Sequence, residues 1–219
     1  MVDRASSALF LVADILIFHC FFDHSRIALN AVSLVERFDM AARIPEIYSA
    51  VHGRIAWRFE PFHSGAEGLR RGFEAGLSHG NSDMGLHCAV YAIKNLILCG
   101  ANLRSLLKEI DYYLHLTEKH TTQPIIYDYM LNFRETVSLL IDNGHATSIE
   151  AEVNTENKLL REAVLLHSAI RCFWLGQTER CQYFSEKCMS LTAQGGNSTS
   201  YVAKFYSGKM EGANLATFV

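Results

Sequence analysis

Apolar residues recur along this chain at helical spacing, and clean apolar–polar alternation, the mark of a strand, is absent. In "EGLRRGFEAGL", Leu69, Phe73 and Leu77 fall at i, i+4 and i+8, with Gly68, Gly72 and Gly76 one step behind them. A glycine row lets a second helix approach closely; in a membrane it would mean dimerisation, but Arg70, Arg71 and Glu74 make it a soluble packing face. Ile27, Val32, Leu34, Val35 and Phe38 form an earlier stripe. Pro45 suits the first turn of a further helix, reaching about Phe59, with Ile44, Ile47, Tyr48, Val51 and Ile55 on one side. Pro61 and Ser64 should end it and cap the next, from Gly65 to His79. "GNSD" (Gly80 to Asp83) separates that helix from one ending near Cys99. "ANLRSLLKEIDYYLHLTEKH" and "PIIYDYMLNFRETVSLLIDNG" follow, the second stopping at Asn143-Gly144. Residues 145–156 are the most polar connection. Helices are expected at about 157–175 and 178–192, then a break at "AQGGNSTS", then a last helix at "YVAKFYSGKM". The expected class is all-α.

Two stretches read as one recurring unit: a helix, a Gly-centred turn, and a second helix. Their turns are "CGANL" around Gly100 and "LGQTE" around Gly176, where a left-handed residue should stop the helix. Helical hairpins that recur bury their apolar faces against their neighbours, as in an α-solenoid. The expectation is therefore one domain over residues 1–219, built of antiparallel helix pairs stacked as a tetratricopeptide-like α-solenoid. Gly72, Gly76, Gly80, Gly100, Gly144 and Gly176 are its turn and packing residues. Such arrays mostly bind or transmit.

The net charge of -3 offers no overall basic field, which argues against a nucleic-acid partner. The six cysteines (20, 88, 99, 172, 181 and 188) include no CxxC pair and lie in helix-like apolar segments, as buried thiols of a cytoplasmic protein would. "ALFLVADILIFHCFF" (Ala8 to Phe22) is apolar enough to raise a membrane anchor as an alternative. Asp14 at its centre would cost roughly 2.5–3.5 kcal/mol in a bilayer, and no small-x-small cleavage site follows it. A packed helix fits better.

The run "WRFEPFHSGAEGLRRGFEAGLSHGNSDMGLHCAVYAIKNLILCGANLRSLLKEIDYY" is similar to a helical region of very large signalling proteins. Those proteins join a serine/threonine kinase-like domain, an AAA-type regulator ATPase with tetratricopeptide-like repeats, and a sensor histidine kinase. The positions carrying the likeness are Trp57, Arg58, Pro61, Phe62, Gly72, Gly80, Asn81, Tyr91, Cys99, Gly100, Leu103 and Leu106. "FWLGQTERCQYFSEK" resembles the next repeat's turn, with Gln177 in place of an acidic residue and Cys181 in place of alanine. The likeness spans about residues 44–219. It implies a regulatory scaffold or sensor between catalytic modules, and a chain that is a fragment or shortened relative of a larger protein.

No GxxxxGK[ST] loop occurs; around Gly208-Lys209, Ala203 and Met210 stand where Gly and Ser or Thr are needed. No kinase motif set and no GxSxG elbow is present, so an enzyme is not expected, nor a cofactor. The rival reading is a helical enzyme or metal protein using His19, Asp23 and His24, close in sequence but short of the four ligands a zinc site needs. Trp57, Tyr91, Tyr112, Tyr127 and Trp174 could line a ligand groove. A protein partner or neighbouring signalling domain is expected. Neither end looks like a polar cap, so self-association through the N-terminal helix or the last hairpin is expected too.

Overall fold

The computed structural model describes residues 24–38, 40–142, 156–192 and 198–208. Among these, the regular structure is all helical: α1 (His24–Arg37), α2 (Ile44–Ala50), α3 (Phe62–Ser78), α4 (Ser82–Leu98), α5 (Leu103–His120), α6 (Pro124–Ile141), α7 (Lys158–Trp174), α8 (Thr178–Thr192) and α9 (Ser198–Tyr206). None of them is long and apolar enough to cross a membrane. The apolar run 8–22 lies outside the described residues, as does Gly144.

The described residues divide into two compact units. One holds residues 24–101 and 116–126, the other 102–115 and 127–208. In the first, Ala28, Ala31 and Val35 of α1 bury against Ile47 and Tyr48 of α2 and Val51 and Ile55 beyond it. The α3–α4 hairpin packs beside α2. The first turn of α4 also grips the turn before α6. Asp83 Oδ1 accepts from Thr121 Oγ1 at 2.7 Å and from the Thr122 N–H at 3.0 Å, and Oδ2 accepts from Thr122 Oγ1 at 2.6 Å. Burial alone would raise the Asp83 pKa, but these three bonds outweigh it and hold the carboxyl below its ordinary value.

In the second unit α7 and α8 form a hairpin with α9 against both. Ala169, Cys172 and Cys181 form one apolar cluster in it, with Leu175, Phe184 and Tyr206 packed around them.

The helix stops at Gly100 and Gly176 are the same device. Gly100 (φ +69°) and Gly176 (φ +71°) are left-handed. The Ala101 N–H reaches back to Leu96 O at 3.1 Å and the Gly100 N–H to Ile97 O at 3.2 Å. The Gln177 N–H reaches Cys172 O at 2.8 Å and the Gly176 N–H reaches Phe173 O at 3.1 Å. Both ends thus satisfy their last carbonyls by the paired bonds of a Schellman turn.

Two sequence expectations change. The helix expected from Pro45 to Phe59 ends at Ala50, widens into a π-helical turn over Val51–Ile55 and finishes as a 3₁₀ turn over Ala56–Arg58. The local cause is visible. Gly53 carries no Cβ, the Tyr91 ring occupies the space a Cβ would fill, and Trp57 Nε1 donates to the Arg54 carbonyl at 2.8 Å, drawing off an acceptor a continuing α-helix would use. Ser64 does not cap the next helix. That helix begins at Phe62 behind an extended Pro61 (ψ 148°) with no side-chain cap, so Ser64 sits inside the first turn.

Candidate functional site

The π-turn places His52 against the glycine face of α3. A Cβ on Gly68 would lie 2.6 Å from the imidazole Cδ2 and 2.7 Å from Nε2. Gly65, one turn earlier, meets the His52 carbonyl, which the Asn95 amide also approaches at 3.5 Å. Tyr48 stands edge-on to the imidazole, ring centres 5.2 Å apart. Both imidazole nitrogens are shielded from water and have no hydrogen-bond partner among the described residues. An unpaired buried polar group is costly, and π-turns are frequent at functional sites. This combination marks the place.

The charges around it form a chain. The Tyr48 hydroxyl donates to Glu36 Oε1, and Arg71 Nη1 lies 3.7 Å from that same oxygen. The Arg71 guanidinium also sits 5.5 Å from the centre of the Tyr48 ring. Burial lowers the His52 pKa below its ordinary value, Arg71 lowers it further, and Glu36 opposes both. His52 is therefore a neutral imidazole at pH 7. Burial and the bond to Glu36 push the Tyr48 hydroxyl up to about 12. The nearby Cys88 thiol donates to the Pro45 carbonyl at 3.2 Å and is pushed up to about 12 by burial, so it is no nucleophile at neutral pH. The arrangement can take up a proton under acid but offers no nucleophile–base pair.

Cations and aromatic rings also meet near the same π-turn. Lys94 Nζ lies 5.0 Å from the centre of the Tyr91 ring, and the Arg58 guanidinium 5.3 Å from the Trp57 ring. On the turn itself, Gly53 touches Tyr91 and the Arg54 carbonyl accepts from Trp57. Trp57 and Tyr91, two of the expected groove aromatics, thus share one neighbourhood.

The other three belong to the second unit. Tyr112 is 53% exposed and packs on Tyr113 at 5.5 Å; Trp174 is 64% exposed and packs on Phe173 at 5.7 Å; Tyr127 is half-buried on α6. That unit also has a buried polar centre. Arg171 is fully buried; its Nη2 donates to Ser168 Oγ at 2.9 Å and its Nη1 lies 3.3 Å from Glu135 Oε1. Burial lowers its pKa while Glu135 opposes that shift. Phe133 stacks on the imidazole of His167 at 4.9 Å.

The glycines expected to be structural are placed as follows. A Cβ on Gly72 would meet Cys88 Sγ at 2.8 Å, and one on Gly76 would meet the backbone of Gly85 at 2.5 Å. Gly80 is left-handed at φ +74°. Of the expected metal ligands, His19 and Asp23 lie outside the described residues, and only the backbone of His24 is described. No group of histidine, cysteine, aspartate or glutamate suited to a metal occurs among the described residues.

Sequence reasoning missed His52, Arg171 and Asp83. Two signals were available: a glycine inside a helical pattern next to His52, and an arginine inside the apolar run "SAIRCF". Asp83 signalled only a helix start. No protein-family model, curated protein or solved structure matches this chain.

Proposed function

We propose that the chain is a non-catalytic helical-repeat module of signal transduction, a scaffold or sensor holding protein–protein or interdomain contacts in the cytoplasm. Its helix pairs stack as a tetratricopeptide-like solenoid, and its neighbours are the ATPase and kinase modules of the signalling proteins it resembles. The observation that carries the reading is the recurrence of one helix stop, at Gly100 and at Gly176, each joining two long helices. Repetition of one supersecondary unit is what a solenoid requires. The buried, raised thiols also favour a packing role over a chemical one. Exposed Phe173, Trp174 and Tyr201 in the last hairpin region give it apolar surface through which it self-associates or meets a partner.

Sequencing the genomic DNA on both sides of the coding region tests this. A P-loop ATPase frame upstream or a histidine-kinase frame downstream is expected; unrelated frames on both sides would contradict it. Metal analysis of the purified protein tests the rival: stoichiometric zinc or iron would make a metal protein the better reading.

A further inference from the structure

A histidine can take up a proton where it stands only if water or an acceptor meets both of its ring N–H groups. His52 has neither: both ring nitrogens are shielded from water and have no hydrogen-bond partner among the described residues. Its surroundings come from four helices. α3 presents Gly65 and Gly68, with Arg71 one turn further on, and the His52 ring lies within 2.7 Å of where a Gly68 Cβ would stand. α2 presents the Tyr48 ring, and α4 the Asn95 amide near the His52 carbonyl. The Cys88 thiol of α4 stands at Gly72, a turn along the glycine face, and is bonded to the Pro45 carbonyl. α1 presents Glu36, whose Oε1 accepts from Tyr48 and lies 3.7 Å from Arg71. The cation acting on the imidazole is thus Arg71 and the anion Glu36.

An imidazolium in this slot would have a cation near it and no acceptor for either N–H, so charging the ring must move it. The part built to move is the π-turn, Val51–Ile55, which carries His52 and is wound more widely than the helix before it. The way out is also set. The Glu36 and Arg71 side chains are 46% and 57% exposed, so the anion that acts on the ring stands at the solvent edge.

We propose that the π-turn is an acid-sensitive switch, in which proton uptake from water by His52 swings the ring away from α3 onto the Glu36 carboxylate and opens the turn. In the closed form the ring is neutral and packed on Gly68. In the open form a ring N–H donates to Glu36, and the glycine face at Gly65 and Gly68 is laid bare. The closed form refuses a proton that the open form accepts, so the open population rises as pH falls below 6.5. Protonation of a buried histidine then biases a local two-state element. The switch stands whether or not the repeat reading does.

Trp57 reports on the turn, because its Nε1 donates to the Arg54 carbonyl at 2.8 Å. The chain has two tryptophans, and Trp174 is exposed in the other unit, so Trp174→Phe leaves Trp57 as the only indole. In that background, acidification from about pH 7.5 to about pH 5, above the range of ordinary carboxylates, should shift Trp57 emission reversibly while the helical circular dichroism stays constant. His52→Gln, which cannot take the proton, should remove the step. Glu36→Gln should move its midpoint down and Arg71→Gln should move it up, each by roughly 0.2–0.7 pH unit, as partly exposed charges do. These two are surface changes and carry the test if His52→Gln does not fold. Constant emission, emission that moves only together with the circular dichroism, a step that survives in folded His52→Gln, or midpoint shifts of the same sign in the two surface variants would overturn the switch.

Discussion

The imidazole of His52 lies against Gly68 so closely that the smallest side chain there would overlap it, at 2.6 Å from Cδ2. Eight residues on, Gly76 stands in the same relation to backbone rather than side chain, 2.5 Å from the Gly85 Cα. A ring can tilt; two helices can only move apart. Gly68→Ala should therefore cost about 1 kcal/mol and Gly76→Ala about 2–3 kcal/mol or more, within the range for overpacking. Urea unfolding reads both, and a Gly68→Ala loss exceeding that of Gly76→Ala would contradict this packing.

His52 should make stability depend on pH. Its native pKa is lowered from 6.5, so below about pH 6.5 the unfolded chain binds a proton that the folded chain refuses. Stability then falls as pH falls, from the ordinary histidine value down to the depressed native one, and is fully retained above it. His52→Leu should flatten the unfolding midpoint across that window. A slope unchanged by the substitution would show that the imidazole is solvated.

Asp83 works in the same direction at lower pH. Its native pKa is lowered from 3.8, so its contribution is present at neutral pH and is lost as pH drops below that value through the native one. Asp83→Asn at pH 7 should cost about 1–3 kcal/mol, since Thr121 and Thr122 lose a charged acceptor. The same substitution at pH 2 should cost much less. Equal losses at both pH values would rule out the charge as the cause.

Gly100→Val places a β-branched residue at φ +69° with open space around the new Cβ. Steric contact adds nothing there, and the backbone alone should cost more than about 1 kcal/mol. An unchanged melting temperature would mean that the turn does not need the left-handed conformation.

What the sequence made legible follows from period and punctuation. Helical spacing located α1, α3, α4 and the α7–α8 hairpin, and glycine at the end of an apolar run located the stops at Gly100 and Gly176. The π-turn was not legible, because "VHGRI" keeps an apolar face compatible with a plain helix. Its widening depends on Tyr91, about forty residues away, filling the space beside Gly53. His52 was hidden for the same reason: its burial comes from Gly65 and Gly68 on another helix, not from its neighbours. Arg171 stands out inside the apolar run "SAIRCF", but its partner is not legible until α6 brings Glu135 to it.

The stacking of helix pairs is the claim on which the scaffold reading rests, and X-ray scattering of the column-separated monomer tests it most directly. A compact globule of this length has a radius of gyration of about 17 Å. A solenoid should give a clearly larger value and a distance distribution skewed to long separations. A value near 17 Å with a symmetric distribution would contradict the solenoid.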